Sequence, residues 1–216
     1  MDRLIAGLKQ FRTHTYPQYK QQFEALADVQ HPRVLLITCS DSRVVPNLVT
    51  SADPGELFII RNAGNLVPPY DGGAGGEAAS LEYAVAALGV EHIVVCGHSG
   101  CGAMTALLDP SLAANMPSVQ KWLELAAATR AAVDASTLAD ADRLSRAIEI
   151  NTLCQLNNLR THPSVAASLA RGNVQLHAWV YNIGSGAVTA YDEANERFVE
   201  LNETLHPVRN HLAIAS

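Results

Sequence analysis

Cys39-Ser40-Asp41-Ser42-Arg43 sets a thiol, a carboxylate and a guanidinium two residues apart. In extended backbone, residues two apart face the same side, so all three can point into one crevice. Further along, Gly97-His98-Ser99-Gly100-Cys101-Gly102 places His98 and Cys101 three residues apart, a separation at which one turn presents two ligands to one ion. Gly97, Gly100 and Gly102 would let the backbone turn tightly and approach closely there. Together Cys39, His98 and Cys101 make a Cys₂His set. Three protein ligands leave zinc a fourth position for water, the arrangement of a catalytic rather than a structural site. Zinc brings the pKa of such a water to about 7. Two thiolates nearly cancel the ion's charge, however, so neighbouring groups must help. Asp41 can accept the water's hydrogen bond and orient it, and Arg43 can grip Asp41 bidentately and keep it ionised.

Holding those side chains in place requires two strand ends. Residues 33–38 (RVLLIT), 57–60 (LFII), 92–97 (HIVVCG) and 174–181 are short, continuous apolar runs that read as strands buried on both faces. Helical patterns alternate with them. An N-terminal stretch from Arg3 to Ala27 shows helical spacing, with Pro17 breaking or kinking it. Glu77 to Leu88 stops at Gly89, Pro117 to Ala132 starts on a first-turn proline, Asp140 to Arg160 is long and periodic, and Ser164 to Arg171 stops at Gly172. This alternation predicts an α/β fold: one domain over 1–216, with a mainly parallel sheet flanked by helices. Within it, 1–30 reads as an N-terminal helical arm and 31–216 as the α/β core. Ligands of such sheets bind at the carboxyl ends of the strands. The two motifs follow the first and third strands, which puts the chemistry there.

Composition narrows the class. Among 216 residues, 15 Lys+Arg stand against 21 Asp+Glu, a net charge of −6, and 48% are hydrophobic. Those figures exclude a disordered chain, a collagen and a basic nucleic-acid-binding protein. Charged residues make up 17%, below the roughly 25% usual for soluble domains. A broad buried subunit interface would account for that deficit. No run approaches the ~18 apolar residues of a membrane span, and the first twenty residues lack the apolar core of a secretory signal. The four cysteines are therefore expected to be reduced, in the cytoplasm. Cys96 and Cys154 read as packing residues. His14, His31, His92, His162, His177, His206 and His211 read as surface, capping or packing residues, and Trp122 and Trp179 as core or interface.

The paired motifs CSDSR (39–43) and HSGCG (98–102) resemble the signature of the β-class carbonic anhydrases, in their plant-like branch. The likeness continues through PGELF (54–58), RNAGN (61–65), SLEYAV (80–85) and HAWVY (177–181). It implies reversible hydration of carbon dioxide to bicarbonate and a proton by zinc-bound hydroxide, with one Zn²⁺ per subunit on Cys39, His98 and Cys101. In some members the aspartate swings onto the zinc when its arginine releases it, which would make Asp41 a fourth ligand in a closed state. Alignment to that branch puts Gln30, as a donor across a dimer interface, together with Phe58, Ala63, Tyr83 and Gly102 at the substrate pocket. It also implies a homodimer or larger homo-oligomer, a tetramer included, with the N-terminal helix wrapping a partner. A second, inhibitory bicarbonate site found in some bacterial members is not expected, because Leu36 replaces its tryptophan, although Tyr181 matches its tyrosine.

Rival readings have less behind them. Gly97 to Cys101 resembles the turn of a hydrolase nucleophile, but its fifth residue is Cys rather than Gly, and no downstream Asp and His announce themselves as partners for Ser99. A G-x-G-x-x-A match runs from Gly73 to Ala78 through the glycine-rich segment 72–76, but it follows prolines rather than a strand, so the dinucleotide context fails. A structural zinc or redox-sensing domain would leave Asp41 and Arg43 without a role. A related scaffold acting on carbon disulfide is barely separable by sequence.

Overall fold

The computed structural model describes residues 1–73, 75–137 and 139–201; His206 and His211 lie outside them. A long N-terminal helix is made of α1 (Asp2–Gln10), a wider π-helical turn (Phe11–Thr15) and α2 (Tyr16–Ala25). Pro17 does not break it, contrary to the expectation from sequence. A proline lacks the N–H that an α-helix interior needs, and here it sits in the first turn of α2, directly after the widened turn that accommodates it.

The core is a six-stranded sheet in the order β2-β1-β3-β4-β5-β6. The strands are β1 (Val34–Cys39), β2 (Leu57–Asn62), β3 (His92–His98), β4 (Gln175–Tyr181), β5 (Val188–Asp192) and β6 (Arg197–Glu200). The first four pair in parallel and the last two antiparallel. The sheet is therefore mainly parallel, as the alternating pattern predicts. Helices α3 (Pro46–Thr50), α4 (Gly76–Glu82), α5 (Gly102–Leu108), α6 (Pro117–Leu123), α7 (Ala127–Asp134), α8 (Asp140–Thr161) and α9 (Pro163–Ala170) connect the strands. The single helix expected over 117–132 is divided by a 3₁₀ turn at Glu124–Ala126.

Side chains alternate across each strand. Leu35, Ile37, Ile93, Val95, Leu176 and Ala178 form one buried layer with Leu81 of α4, Leu156 and Leu159 of α8 and Val165 of α9. Leu36, Val94 and Cys96 point the other way, into a smaller cluster with Val34, Leu57, Trp179 and Tyr181. Two grooves of about 470 and 690 Å³ run along this second face, and Trp179 lines both. Gly97 lies within β3 rather than in a turn. A Cβ there would stand 2.9 Å from Ile148 Cγ2 and 3.1 Å from Thr152 Cγ2, so the glycine lets α8 lie close against the strand.

Candidate metal centre

Strands β1 and β3 are parallel neighbours, with Thr38 opposite Cys96, so their carboxyl ends open side by side. Cys39 is the last residue of β1 and His98 the last of β3. Cys101 immediately precedes α5. One ligand atom from each of these buried residues lies within 4.8 Å of the others.

The donor set fits a soft-to-borderline cation. His98 is fully buried, and its Nδ1 lies 3.0 Å from the Ser99 carbonyl. A carbonyl only accepts, so Nδ1 carries the hydrogen and Nε2 is left with a lone pair. That buried Nε2 has no hydrogen-bond partner. The two sulfurs have opposite tendencies. A hydrogen bond from the Cys101 thiol holds Cys39 far below the usual thiol range. The same bond, together with burial, pushes Cys101 up. Two buried sulfurs this close together suit a cation that would hold both as thiolates. Backbone amides are directed at both sulfurs: Gly64 N–H at Cys39, 3.4 Å away, and those of Ala103 and Met104 at Cys101.

Asp41 lies beside this cluster, its Oδ2 3.9 Å from His98 Nε2. Arg43 grips it with Nε on Oδ1 at 2.9 Å and Nη2 on Oδ2 at 2.8 Å, and the Arg43 backbone N–H adds a third bond at 2.9 Å. These bonds hold the Asp41 carboxyl well below the usual carboxylate range. Arg43 Nη2 also donates to the Gly100 carbonyl at 3.1 Å, which ties the two motifs together.

Sequence reasoning assigned no role to Arg61. Its guanidinium donates to the Cys39 carbonyl at 3.0 and 3.1 Å and to the Asp41 carbonyl at 2.8 Å, fixing the backbone between ligand and carboxylate. The RNAGN segment that carries it was the available signal. Trp122 and Asn151 were likewise missed as neighbours of the site. Trp122 Nε1 donates to the Ala63 carbonyl, and buried Asn151 donates to the Gly64 carbonyl.

The remaining expected pocket residues are dispersed. Phe58 and Tyr83 come together, their ring centroids 6.0 Å apart. Ala63 and Gly102 are exposed, Gly102 as the first residue of α5. Gln30 is exposed in the loop before β1, at the end of that strand opposite Cys39. Six residues of strand span roughly 17 Å, so Gln30 lies far from the metal cluster of its own chain. Cys96 is buried and Cys154 partly so, as packing residues would be.

Fold and site together define an α/β protein with a candidate metal centre at the carboxyl ends of two parallel strands. The model of the carbonic anhydrase family matches residues 34–188. A carbonic anhydrase of Pseudomonas aeruginosa is 51% identical over 208 residues, covering 96% of this chain and 94% of its own. The solved β-carbonic anhydrase CcaA superposes with a TM-score of 0.90 at 48% identity, covering 94% of this chain and 92% of that one. One of two tetrameric β-carbonic anhydrases from Sordaria macrospora matches with a TM-score of 0.74 at 29% identity, covering 88% and 95%. The chain belongs to the β-carbonic anhydrase family.

Proposed function

We propose that this enzyme catalyses the reversible hydration of carbon dioxide to bicarbonate and a proton, with Cys39, His98 and Cys101 holding one Zn²⁺ per subunit. The observation that carries this reading is the buried, unpartnered Nε2 of His98, a residue whose ligand atom lies within 4.8 Å of those of buried Cys39 and Cys101. Zinc bound there supplies Lewis acidity that makes a hydroxide nucleophile available at neutral pH. The chain's own residues do the rest. Asp41, kept ionised by Arg43, accepts a hydrogen bond from the attacking oxygen and aims its lone pair at the carbon. Arg43 and Arg61 fix the position of that carboxylate from two sides. Carbon dioxide is apolar and neutral, so the Phe58–Tyr83 pair and Ala63 give it a surface rather than a charge. In a closed state, Asp41 would leave Arg43 and become a fourth ligand.

The pocket is completed by a second copy of the chain. Phe58 is half-buried, Ala63 exposed and Tyr83 48% exposed in the isolated chain, and Gln30 cannot reach its own cluster. The exposed apolar residues Leu4, Ile5, Leu8 and Phe11 of the 1–30 arm, and the grooved second sheet face, would be covered by the same association. We therefore read the enzyme as a homodimer at least, with a tetramer consistent with this arrangement. No described helix is long and apolar enough to cross a membrane, and a cytoplasmic location with reduced thiols is part of this reading. Stopped-flow measurement of carbon dioxide hydration tests the assignment. Wild type should be active and Cys101→Ala should lose both zinc and activity; full activity in Cys101→Ala would refute it.

A further inference from the structure

Trp122 is half-buried beside the metal cluster, at the end of α6. Its indole Nε1–H donates to the Ala63 carbonyl at 2.8 Å. The amide that this carbonyl belongs to ends in the Gly64 N–H, which donates to Cys39 Sγ at 3.4 Å. Indole, amide and sulfur thus form one chain of hydrogen bonds. Donation to a carbonyl polarises its amide and makes the N–H on the other side a stronger donor.

The amide is held so that it has one direction to point. The next carbonyl, that of Gly64, accepts from Asn151 Nδ2 at 3.0 Å. Asn151 is 1% exposed, and its Oδ1 accepts from Gln155 Nε2 at 2.9 Å and Thr129 Oγ1 at 3.4 Å, which fixes its orientation. Gly64 has φ +81°, and a Cβ there would stand 2.9 Å from Ala103 Cβ. No other residue type takes that conformation in that space.

We propose that Trp122 is a positioning residue for the metal centre, acting through the Ala63–Gly64 amide on the Cys39 sulfur. The inference rests on the reading of Cys39, His98 and Cys101 as a zinc site. An N–H directed at a ligand sulfur draws charge from it and fixes its orientation as a ligand. Two thiolates would otherwise quench most of the ion's charge, so this donation preserves the electrophilicity that hydration needs. Outer partners of metal ligands typically change metal affinity or activity 10–100-fold when removed.

The test uses Trp122→Phe and, by site-specific incorporation, Trp122→benzothienylalanine, which replaces the indole N–H by sulfur at nearly constant size. Val119→Ala, in the same apolar cluster, controls for packing. Zinc release to a chelator and the sulfur-to-metal charge-transfer band of the cobalt-loaded protein are measured for each. Both Trp122 variants should release zinc about 10-fold faster with a shifted band, while Val119→Ala stays within about twofold of wild type. Release within about twofold and an unmoved band in the benzothienylalanine variant would overturn the inference, even where Trp122→Phe is too unstable to measure. Wild type that binds zinc but hydrates no carbon dioxide would refute the activity alone, because the release ratio decides the role of Trp122 independently.

Discussion

Arg43 and Asp41 meet through both prongs of the guanidinium fork, at 2.9 and 2.8 Å, and the same Nη2 reaches the Gly100 carbonyl at 3.1 Å. A bidentate pair of this kind fixes direction as well as charge. Asp41→Asn exchanges an acceptor for a donor beside the cluster, and Arg43→Gln frees the carboxylate. Each should lower kcat/KM for carbon dioxide hydration about 10–100-fold with zinc content near wild type. Loss of zinc in Asp41→Asn would instead make Asp41 a required ligand of the resting state.

His177 is 8% exposed, and its Nε2 lies 3.1 Å from His92 Nδ1. Burial, followed by the neighbouring His92, lowers its pKa to about 4. The folded pKa lies below the unfolded value of about 6.5, so the folded chain binds fewer protons than the unfolded one between them. The stability this buried neutral ring contributes is present above about pH 6.5 and is lost as pH falls toward 4. At pH 5 the loss is about 2 kcal/mol per subunit, or roughly 4–8 °C in Tm. His177→Leu should flatten the Tm profile between pH 7 and 5. Parallel profiles for the two proteins would contradict the assignment.

Gly97→Ala would place a methyl group 2.9 Å from Ile148 Cγ2. Overpacking of a close helix–strand contact costs about 1–3 kcal/mol. Urea unfolding should register that loss, and an unchanged midpoint would show that α8 yields without cost.

The exposed side chains of Leu4 and Leu8 lie on one face of α1, four residues apart. Leu4→Glu combined with Leu8→Glu should shift the assembly toward smaller species in light scattering and lower activity with it. An unchanged mass would mean that this face covers no partner.

Much of the site could be read from sequence because its parts are local. Cys39, Asp41 and Arg43 share one strand end, His98 and Cys101 share one turn, and the parallel order of β1 and β3 brings the two together. The four apolar strands were legible as continuous apolar runs, although only β1 and β3 are buried nearly throughout; β2, at the sheet edge, is mostly half-buried, and so is the end of β4. The strands β5 and β6 were not legible: they are short, half-exposed and mixed in character, so no periodicity announces them. Helix α5 is only seven residues long and was masked by the motif it follows. Arg61 and Trp122 escaped for a different reason. Each acts on a backbone carbonyl distant in sequence, and no spacing records such a contact. Asn151 and Gln155 are polar residues on the buried side of α8, where a pattern of apolar positions points away from them.

X-ray absorption at the zinc edge of the purified wild-type protein tests the central claim most directly. The account predicts one zinc per subunit with two sulfur neighbours at about 2.3 Å and two nitrogen or oxygen neighbours at about 2.0–2.1 Å. A shell of nitrogen and oxygen alone, or a protein that takes up no zinc, would contradict it.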